Sequence, residues 1–239
     1  GAPQDVSGFI LLMYEQKPAV VGDPFGLPFE GLPENLPIFP LPGAMLLPHG
    51  RMPLNIFEPR YLKMIMDSLK QSRLIGMVQP LELLSDPIPE KTALFHIGCA
   101  GRITAFAESD DGRFMITLQG ICRFKIEKEL QEKGPYRRVK PDFNNFKEDL
   151  SFDNPNINRE GLIPLLKDYL ELKGVKVRIE DLVKIEDRFL IPTLGMINPF
   201  DFREKQAILE TRNISDIANI IISLMEMELK SSNQTSTKH

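Results

Sequence analysis

Carboxylates and serines are the side chains of this chain that could perform acid–base or nucleophilic chemistry. The closest acids are Glu108, Asp110 and Asp111. Adjacent residues in a turn point apart, and Asp110, Asp111 and Gly112 form a strong hairpin signal, so this group predicts a turn rather than a catalytic pair. The serines lack the G-x-S-x-G elbow that presents a nucleophile. We therefore predict no catalytic residue and no enzyme activity.

Metal and cofactor chemistry has no ligand set in this sequence. His49, His96 and His239 are scattered, and Cys99 and Cys122 do not form a C-x-x-C pair. Both cysteines lie in apolar, strand-like runs, where a buried free thiol is favoured over a disulfide. His49 is expected in an exposed loop. The sequence predicts no metal site and no cofactor.

A series of basic residues favours a different activity, the binding of RNA. It lies in a mildly basic middle section, although the whole chain carries a net charge of −4. Glutamates alternate with these residues and few aromatic side chains are near, whereas grooves that follow phosphates have fewer acids and more stacking platforms. RNA binding is therefore the alternative, and nucleic acid is not the expected partner. Its candidate residues are Arg123, Lys125, Arg137, Arg138 and Lys140.

Residues 36–48 and 53–61 form a segment rich in both proline and apolar side chains. Because proline fixes φ and has no N–H, we expect an extended edge strand followed by a helix that begins at Pro59. Methionines are frequent here, and their flexible side chains suit adaptable binding surfaces. The alternative is that these residues pack the core or fix the helix start. The candidate polypeptide-binding residues are Met45, Leu46, Leu47, Met52, Phe57, Glu58, Arg60 and Tyr61.

Strands should surround this segment. Apolar residues alternate with polar ones along much of the chain after residue 74, and interior glycines such as Gly101 mark bulges or bends. With one helix over residues 59–73, the pattern predicts a small, partly open β-barrel over residues 36–146. The predicted strands cover residues 74–78, 94–106, 114–118, 122–126 and 136–143.

Helical periodicity replaces the β pattern after residue 146. Apolar residues recur at helical spacing from Leu162 to Leu170, with Pro164 favouring a helix start near Gly161 and Gly174 placed to end it. Another helix is predicted over residues 202–210, and Ser215 is expected to cap the last one. The predicted divisions are an N-terminal extension (1–35), the barrel lobe (36–146), a helical lobe (147–230) and a disordered tail (231–239).

Four motifs follow one another in the first half of the chain: Phe39-Pro-Leu-Pro-Gly, Pro48, Asn55-Ile-Phe-Glu-Pro-Arg-Tyr and Ile75-Gly. In this order and spacing they resemble the amino-terminal substrate-binding domain of the Lon protease family. Looser matches follow in the later strands and in residues 204–210, so the resemblance runs from Leu36 to the last helix.

The resemblance implies an α+β fold in which a PUA-like, partly open β-barrel lobe is followed by an α-helical lobe. In the proteases this module helps to select unfolded or tagged polypeptides. The chain has no G-x-x-x-x-G-K-[ST] phosphate loop and ends where an ATPase would begin. We therefore expect a stand-alone, non-catalytic polypeptide-binding module, with a protease or chaperone as a further partner. No run approaches the roughly 18 to 20 apolar residues that span a bilayer, so we expect no membrane association and a cytoplasmic location.

Overall fold

The structure, a computed structural model, describes residues 4–5, 27–85, 87–151, 153 and 155–236. Most of the predicted N-terminal extension lies outside the described residues. The strands are β1 (Gln4–Asp5), β2 (Leu36–Pro40), β3 (Arg51–Ile56), β4 (Leu74–Val78), β5 (Ile97–Glu108), β6 (Phe114–Leu130), β7 (Arg138–Asp142) and β8 (Val175–Lys176). The helices are α1 (Pro59–Leu69), α2 (Arg159–Lys173), α3 (Ile179–Val183), α4 (Asp187–Ile197), α5 (Phe202–Glu210) and α6 (Ile214–Ser236). The predicted α+β class is confirmed.

Strands β2 to β7 curl into a small barrel. The sheet order is β3–β6–β5–β4–β2–β7, and β6 also pairs with β7, so the ladder returns to β6. The length of β6 permits this, because its first part pairs with β3 and its last part with β7. The β2–β7 seam is short, with two paired residues on each strand. Among the described residues, β3 stays outside the ring as an edge strand, as its proline predicted.

Strand β2 belongs to the same proline-rich segment but is not an edge strand. It pairs in parallel with β4 and antiparallel with β7. The N–H of Ile38 donates to the carbonyl of Arg137 on one side, and the N–H of Leu41 donates to that of Val78 on the other. The two partners engage different stretches of β2, so its prolines are tolerated between two neighbours.

The hairpin between β5 and β6 follows the local signals. Gly112 has a φ of 80°, which its lack of a Cβ permits, and the turn joins the two strands as predicted. The β5–β6 register shifts between Ala100 and Gly101, where a bulge was expected. The hairpin and its bulge therefore set the register between β5 and β6.

Helix α1 begins at Pro59 as predicted but ends at Leu69 rather than residue 73. Its buried face includes Met64 and Ile65, which belong to the same hydrophobic cluster as Ile75 and Met77 of β4. The chain then makes a turn in which Arg73 has a φ of 60°, and this left-handed backbone cannot continue an α-helix.

Capping residues define the later helices. Helix α2 begins at Arg159, not near Gly161, because the Asn158 side chain accepts a hydrogen bond from the N–H of Gly161. Gly174 ends this helix in the left-handed conformation, as predicted. The predicted bounds of α5 are confirmed, and a capping box of Asp201 and Glu204 starts it.

Helix α6 differs from the prediction at both ends. Asn213 rather than Ser215 accepts the first capping hydrogen bond, from the N–H of Asp216 at 2.9 Å. The helix continues to Ser236, so the disordered tail is wrong for residues 231–236, and residues 237–239 lie outside the described part. Extending a helix that is already nucleated costs little, even through polar residues. No helix in the described part of the chain is long and apolar enough to cross a membrane.

One hydrophobic cluster connects the barrel to the helices. It contains Met45 and Leu47 from the loop before β3, Met64 from α1, and Leu194 and Ile221 from the helical half. A second cluster lies on the opposite face of the sheet, because Leu74 and Val78 of β4 belong to it while Ile75 and Met77 belong to the first. The predicted boundary between the barrel lobe and the helical lobe therefore crosses a shared core. The division of the chain into these two lobes stays a prediction.

Candidate functional site

Four of the eight residues predicted to bind polypeptide are buried. Met45, Leu46, Leu47 and Tyr61 expose at most 5% of their surface. Gly195 of α4 lies so close that a Cβ there would be 2.8 Å from a methyl group of Leu47. The expected exposed patch is therefore wrong for these residues. Met45 and Leu47 lie against α4, Leu46 lies against β5, and the ring of Tyr61 packs on that of Phe39.

Glu58 and Arg60 form an ion pair at the start of α1. The Arg60 Nε lies 3.0 Å from Glu58 Oε2, and Arg60 Nη2 donates to the Ile88 carbonyl at 2.9 Å. The guanidinium also lies over the ring of Tyr61. These contacts join α1 to the loop after β4, which favours the alternative of a structural corner.

Arg123, one of the predicted RNA-binding residues, is fully buried. Its guanidinium pairs with Asp149, which is also buried, and donates to the carbonyls of Leu209, Thr211 and Arg212 at the end of α5. A buried arginine with its donors occupied cannot reach a phosphate. The prediction for Arg123 is wrong because distant carbonyls and one carboxylate enclose it.

The other basic candidates remain near the surface, and most of them have acidic neighbours. Arg137 binds both carboxylate oxygens of Glu129 at 2.7 and 2.8 Å, and this hydrogen bonding lowers the pKa of Glu129. Lys125 is exposed. These cross-strand pairs neutralise the face that RNA would need. The pairs are Arg137–Glu129, Arg138–Glu132 and Lys140–Glu127.

A polar cleft brings members of both predicted sets together. It has a volume of about 200 Å³, and its lining includes Arg60, Tyr61 and Arg137. Both arginines are already held, by Glu58 and Glu129 respectively. The cleft therefore offers few uncommitted charges to a ligand.

An uncharged depression on β3, β5 and β6, which we call the outer groove, is the clearest exposed apolar feature. Its volume is about 440 Å³, and its lining contains no ionisable side chain. It is lined by Pro53, Leu54, Asn55, Ala105, Phe106, Ala107, Met115, Ile116 and Thr117.

Strand register explains how the outer groove forms. Residues alternate in facing along β6, so the buried residues of Phe114–Leu118 leave Met115 and Thr117 pointing outwards. Met115 lies between Asn55 of β3 on one side and Ala107 of β5 on the other. Met115 exposes 53% of its surface, between neighbours too short to cover it.

Two exposed aromatic side chains extend this apolar surface. Phe57, directly after β3, is 56% exposed and is the one large apolar residue of the predicted set on the surface, while Met52 is half-buried. Phe106 is 44% exposed and contacts the ring of Phe114. Arg113 lies over the Phe57 ring, with its centre 5.8 Å from the ring centroid. The surface is thus apolar with a basic residue at one margin.

Sequence reasoning missed the outer groove, although one signal pointed to it. The alternation of Phe114, Ile116 and Leu118 implies that Met115 faces the opposite, solvent side, where a polar residue is usual. Ala105 lies on β5, a strand that the sequence predicted, but its alignment beside β6 depends on the register. The alignment of β5 beside β6 had to be known before Met115 and Ala105 could be placed in the same groove.

The chemistry of the outer groove suits binding. Its described lining residues include no titratable side chain, and no group of three or more histidine, cysteine or acidic residues in the described ranges could hold a metal. What it offers is apolar side chains and the backbone of an edge strand.

Known proteins with similar sequences or folds point to one family. Residues 35–227 match the family described as the ATP-dependent protease La (LON) substrate-binding domain. A Lon N-terminal domain protein from Xanthomonas campestris has 19% sequence identity and a TM-score of 0.54, over 79% of this chain and 97% of that chain. The N-terminal domain of Mycobacterium avium complex Lon protease has 16% identity and a TM-score of 0.55, over 80% and 98%.

Whole proteases match over a part of their length. Lon protease 2 of Myxococcus xanthus is 24% identical over 225 residues, which are 91% of this chain and 27% of the protease. Lon protease of Parabacteroides distasonis is 32% identical over 149 residues, or 62% of this chain and 17% of the protease. The chain thus spans about a quarter or less of the length of these relatives. Because the family model matches residues 35–227, this chain belongs to the Lon substrate-binding domain family.

Proposed function

We propose that this chain is a non-catalytic module that recognises unfolded or tagged polypeptides through the outer groove. The observation that carries the proposal is an exposed, uncharged apolar groove on a member of a substrate-binding family. Exposed apolar surfaces of this kind usually mark sites of interaction.

The composition of the outer groove suits clients without a shared sequence. Unfolded chains expose apolar side chains, and covering Met115 and Phe106 together with a client residue removes apolar surface on both sides from water. At about 25 cal/mol per Å², a few such contacts give modest, reversible affinity. Methionine adapts its shape to different partners, which favours breadth over specificity.

RNA binding is the weaker candidate. Arg123 is buried, and three of the four other basic candidates pair with glutamates. To bind RNA, these basic side chains would have to leave their glutamates and pair with phosphates. One set of ion pairs would replace another, so the gain in binding free energy would be small. A protease or chaperone partner and a cytoplasmic location remain predictions.

Titrating fluorescently labelled, unfolded casein with the chain and following anisotropy tests the proposal. Met115→Asp should weaken binding at least ~10-fold, because the new carboxylate would have to lose water without a partner. The matched control is Met227→Asp on α6, since Met227 is 67% exposed and lies on the helical half.

Equal affinities for the two variants and the unmodified chain would refute the role of the outer groove.

The same purified protein should neither hydrolyse ATP nor degrade casein. Either activity, if it persisted through rigorous purification, would contradict the non-catalytic assignment.

A further inference from the structure

Strand β3 has one paired edge and one open edge. Among the described residues it pairs with β6 alone and stands at the end of the sheet order. The N–H of Gly120 donates to the Gly50 carbonyl at 2.8 Å, which fixes the phase of the ladder. Because hydrogen-bonded pairs alternate along an antiparallel ladder, the backbone groups of Pro53 and Asn55 then point away from β6.

Side chains on both faces of β3 border cavities. Pro53, Leu54 and Asn55 line the outer groove. Leu54 and Asn55 also line a smaller cavity of about 60 Å³, which includes Phe39 and Tyr61 from the side towards α1. An extended segment placed beside β3 would direct alternate side chains to these two faces.

The charges near the edge restrict what could lie there. No ionisable side chain lines the outer groove, and the carboxylate of Glu58, in the smaller cavity, is already paired with Arg60. A charged client residue would lose water here without gaining a partner. The complementary occupant is an extended, uncharged stretch of polypeptide.

We propose that client polypeptides bind by adding a strand to the open edge of β3. The proposal rests on the proposed function and specifies its mode. Main-chain hydrogen bonds to Pro53 and Asn55 hold the client irrespective of its sequence, and the cavities on the two faces select uncharged side chains.

Pro53 limits the number of hydrogen bonds that the open edge of β3 can form. Its carbonyl accepts a hydrogen bond but its nitrogen donates none, so a client strand lacks one bond at this position. Proline on an edge strand also limits uncontrolled pairing between copies.

Pro53→Ala restores the donor and should tighten client binding about 3- to 10-fold, the effect of one added hydrogen bond. The matched control is Pro135→Ala, because Pro135 is exposed in the loop between β6 and β7 and does not belong to β3.

A capped, uncharged peptide of alternating leucine and serine supplies a direct test, with binding measured by calorimetry. Two isomers carry N-methyl groups on either the leucines or the serines. The side chains set the register, so one isomer loses the N–H groups that face β3 and should bind at least ~10-fold more weakly, while the other binds like the parent peptide. Amide exchange at Asn55 should slow when the parent peptide binds.

Three outcomes would overturn strand addition. The first is equal binding of both N-methylated isomers. The second is a Pro53→Ala chain that gains no affinity while Pro135→Ala behaves identically. The third is dimerisation of the unmodified chain through this edge, seen by sedimentation without peptide, which would assign the edge to a second copy. If Met115→Asp still weakens casein binding in these cases, polypeptide recognition stands and only its mode is refuted.

Discussion

His49 is buried where the loop before β3 meets the segment after β7, not in the exposed loop that was predicted. Its Nε2 lies 3.1 Å from the Ser151 carbonyl, and its ring meets the edge of Phe189. Burial lowers its pKa, and the charge of Arg188 adds to this, while the Ser151 hydrogen bond and Asp149 act in the opposite direction. The folded chain therefore holds this imidazole neutral.

The stability of the chain should fall in mild acid because of His49. The unfolded chain takes up a proton near the ordinary pKa of 6.5, whereas the folded chain resists protonation, so the unfolded state gains as the pH drops below that value. The urea midpoint should decline from about pH 7 to about pH 5, and less so in His49→Asn, since asparagine tolerates the positive φ at this position. His96→Asn, at an exposed histidine, is the control; an unchanged slope in His49→Asn would refute the assignment.

At the scale of elements, β6 is the strand on which the barrel depends. It pairs with three other strands along its length. The loop before β3 is fastened to it, because the N–H of His49 donates to the Gly120 carbonyl and the N–H of Gly120 donates to that of Gly50. This close approach requires glycine, since a Cβ on Gly120 would lie 2.0 Å from the Leu47 carbonyl oxygen.

Gly120→Ala should therefore displace the loop and destabilise the fold. Overpacking of this kind costs about 1–3 kcal/mol, which urea denaturation would measure as a lower free energy of unfolding. Gly134→Ala should stay within about 0.5 kcal/mol, because no atom lies within 4 Å of the position where its Cβ would be. Equal effects of the two substitutions would show that the loop gives way without cost.

At the scale of the whole molecule, Arg123 joins the barrel to the helices. Arg123 lies on β6, and its carboxylate partner Asp149 lies in the 3-10 turn Asn144–Leu150. The carbonyl groups that it binds lie in the last turn of α5 and directly after this helix. The ring of Phe146 packs against the guanidinium. Three distant stretches of chain thus meet at one side chain.

Arg123→Met should destabilise the chain by about 3–5 kcal/mol, because it leaves Asp149 charged, buried and unpaired. The measurement is the free energy of unfolding in urea, with hydrogen exchange along α5 reporting its loosened end. Replacing Asp149 as well, with leucine, should recover part of the loss. Lys140→Met, which breaks an exposed pair with Glu127, should cost about 1 kcal/mol or less. Similar losses for Arg123→Met and Lys140→Met would contradict the role of Arg123.

Elements whose signals are local could be predicted from the sequence. Strand Leu74–Val78, the start of α1 at Pro59, and α5 with its capping box all have the predicted bounds. Proline geometry, turn residues and caps act between residues a few positions apart, so their energies can be estimated without knowing the rest of the fold. The motifs that resemble the Lon family lie largely on such elements.

By itself the sequence determined the α+β class, the family and the buried free cysteines. The tertiary structure alone decided which residues have access to solvent. Met45 and Leu47 are covered by α4, and Arg123 is enclosed by residues up to 89 positions away. Met115 became the centre of a groove because β3 and β5 align beside it. Burial and pairing depend on neighbours that are distant in sequence, and side chains of the same type end in the core or on the surface according to which strands and helices meet there.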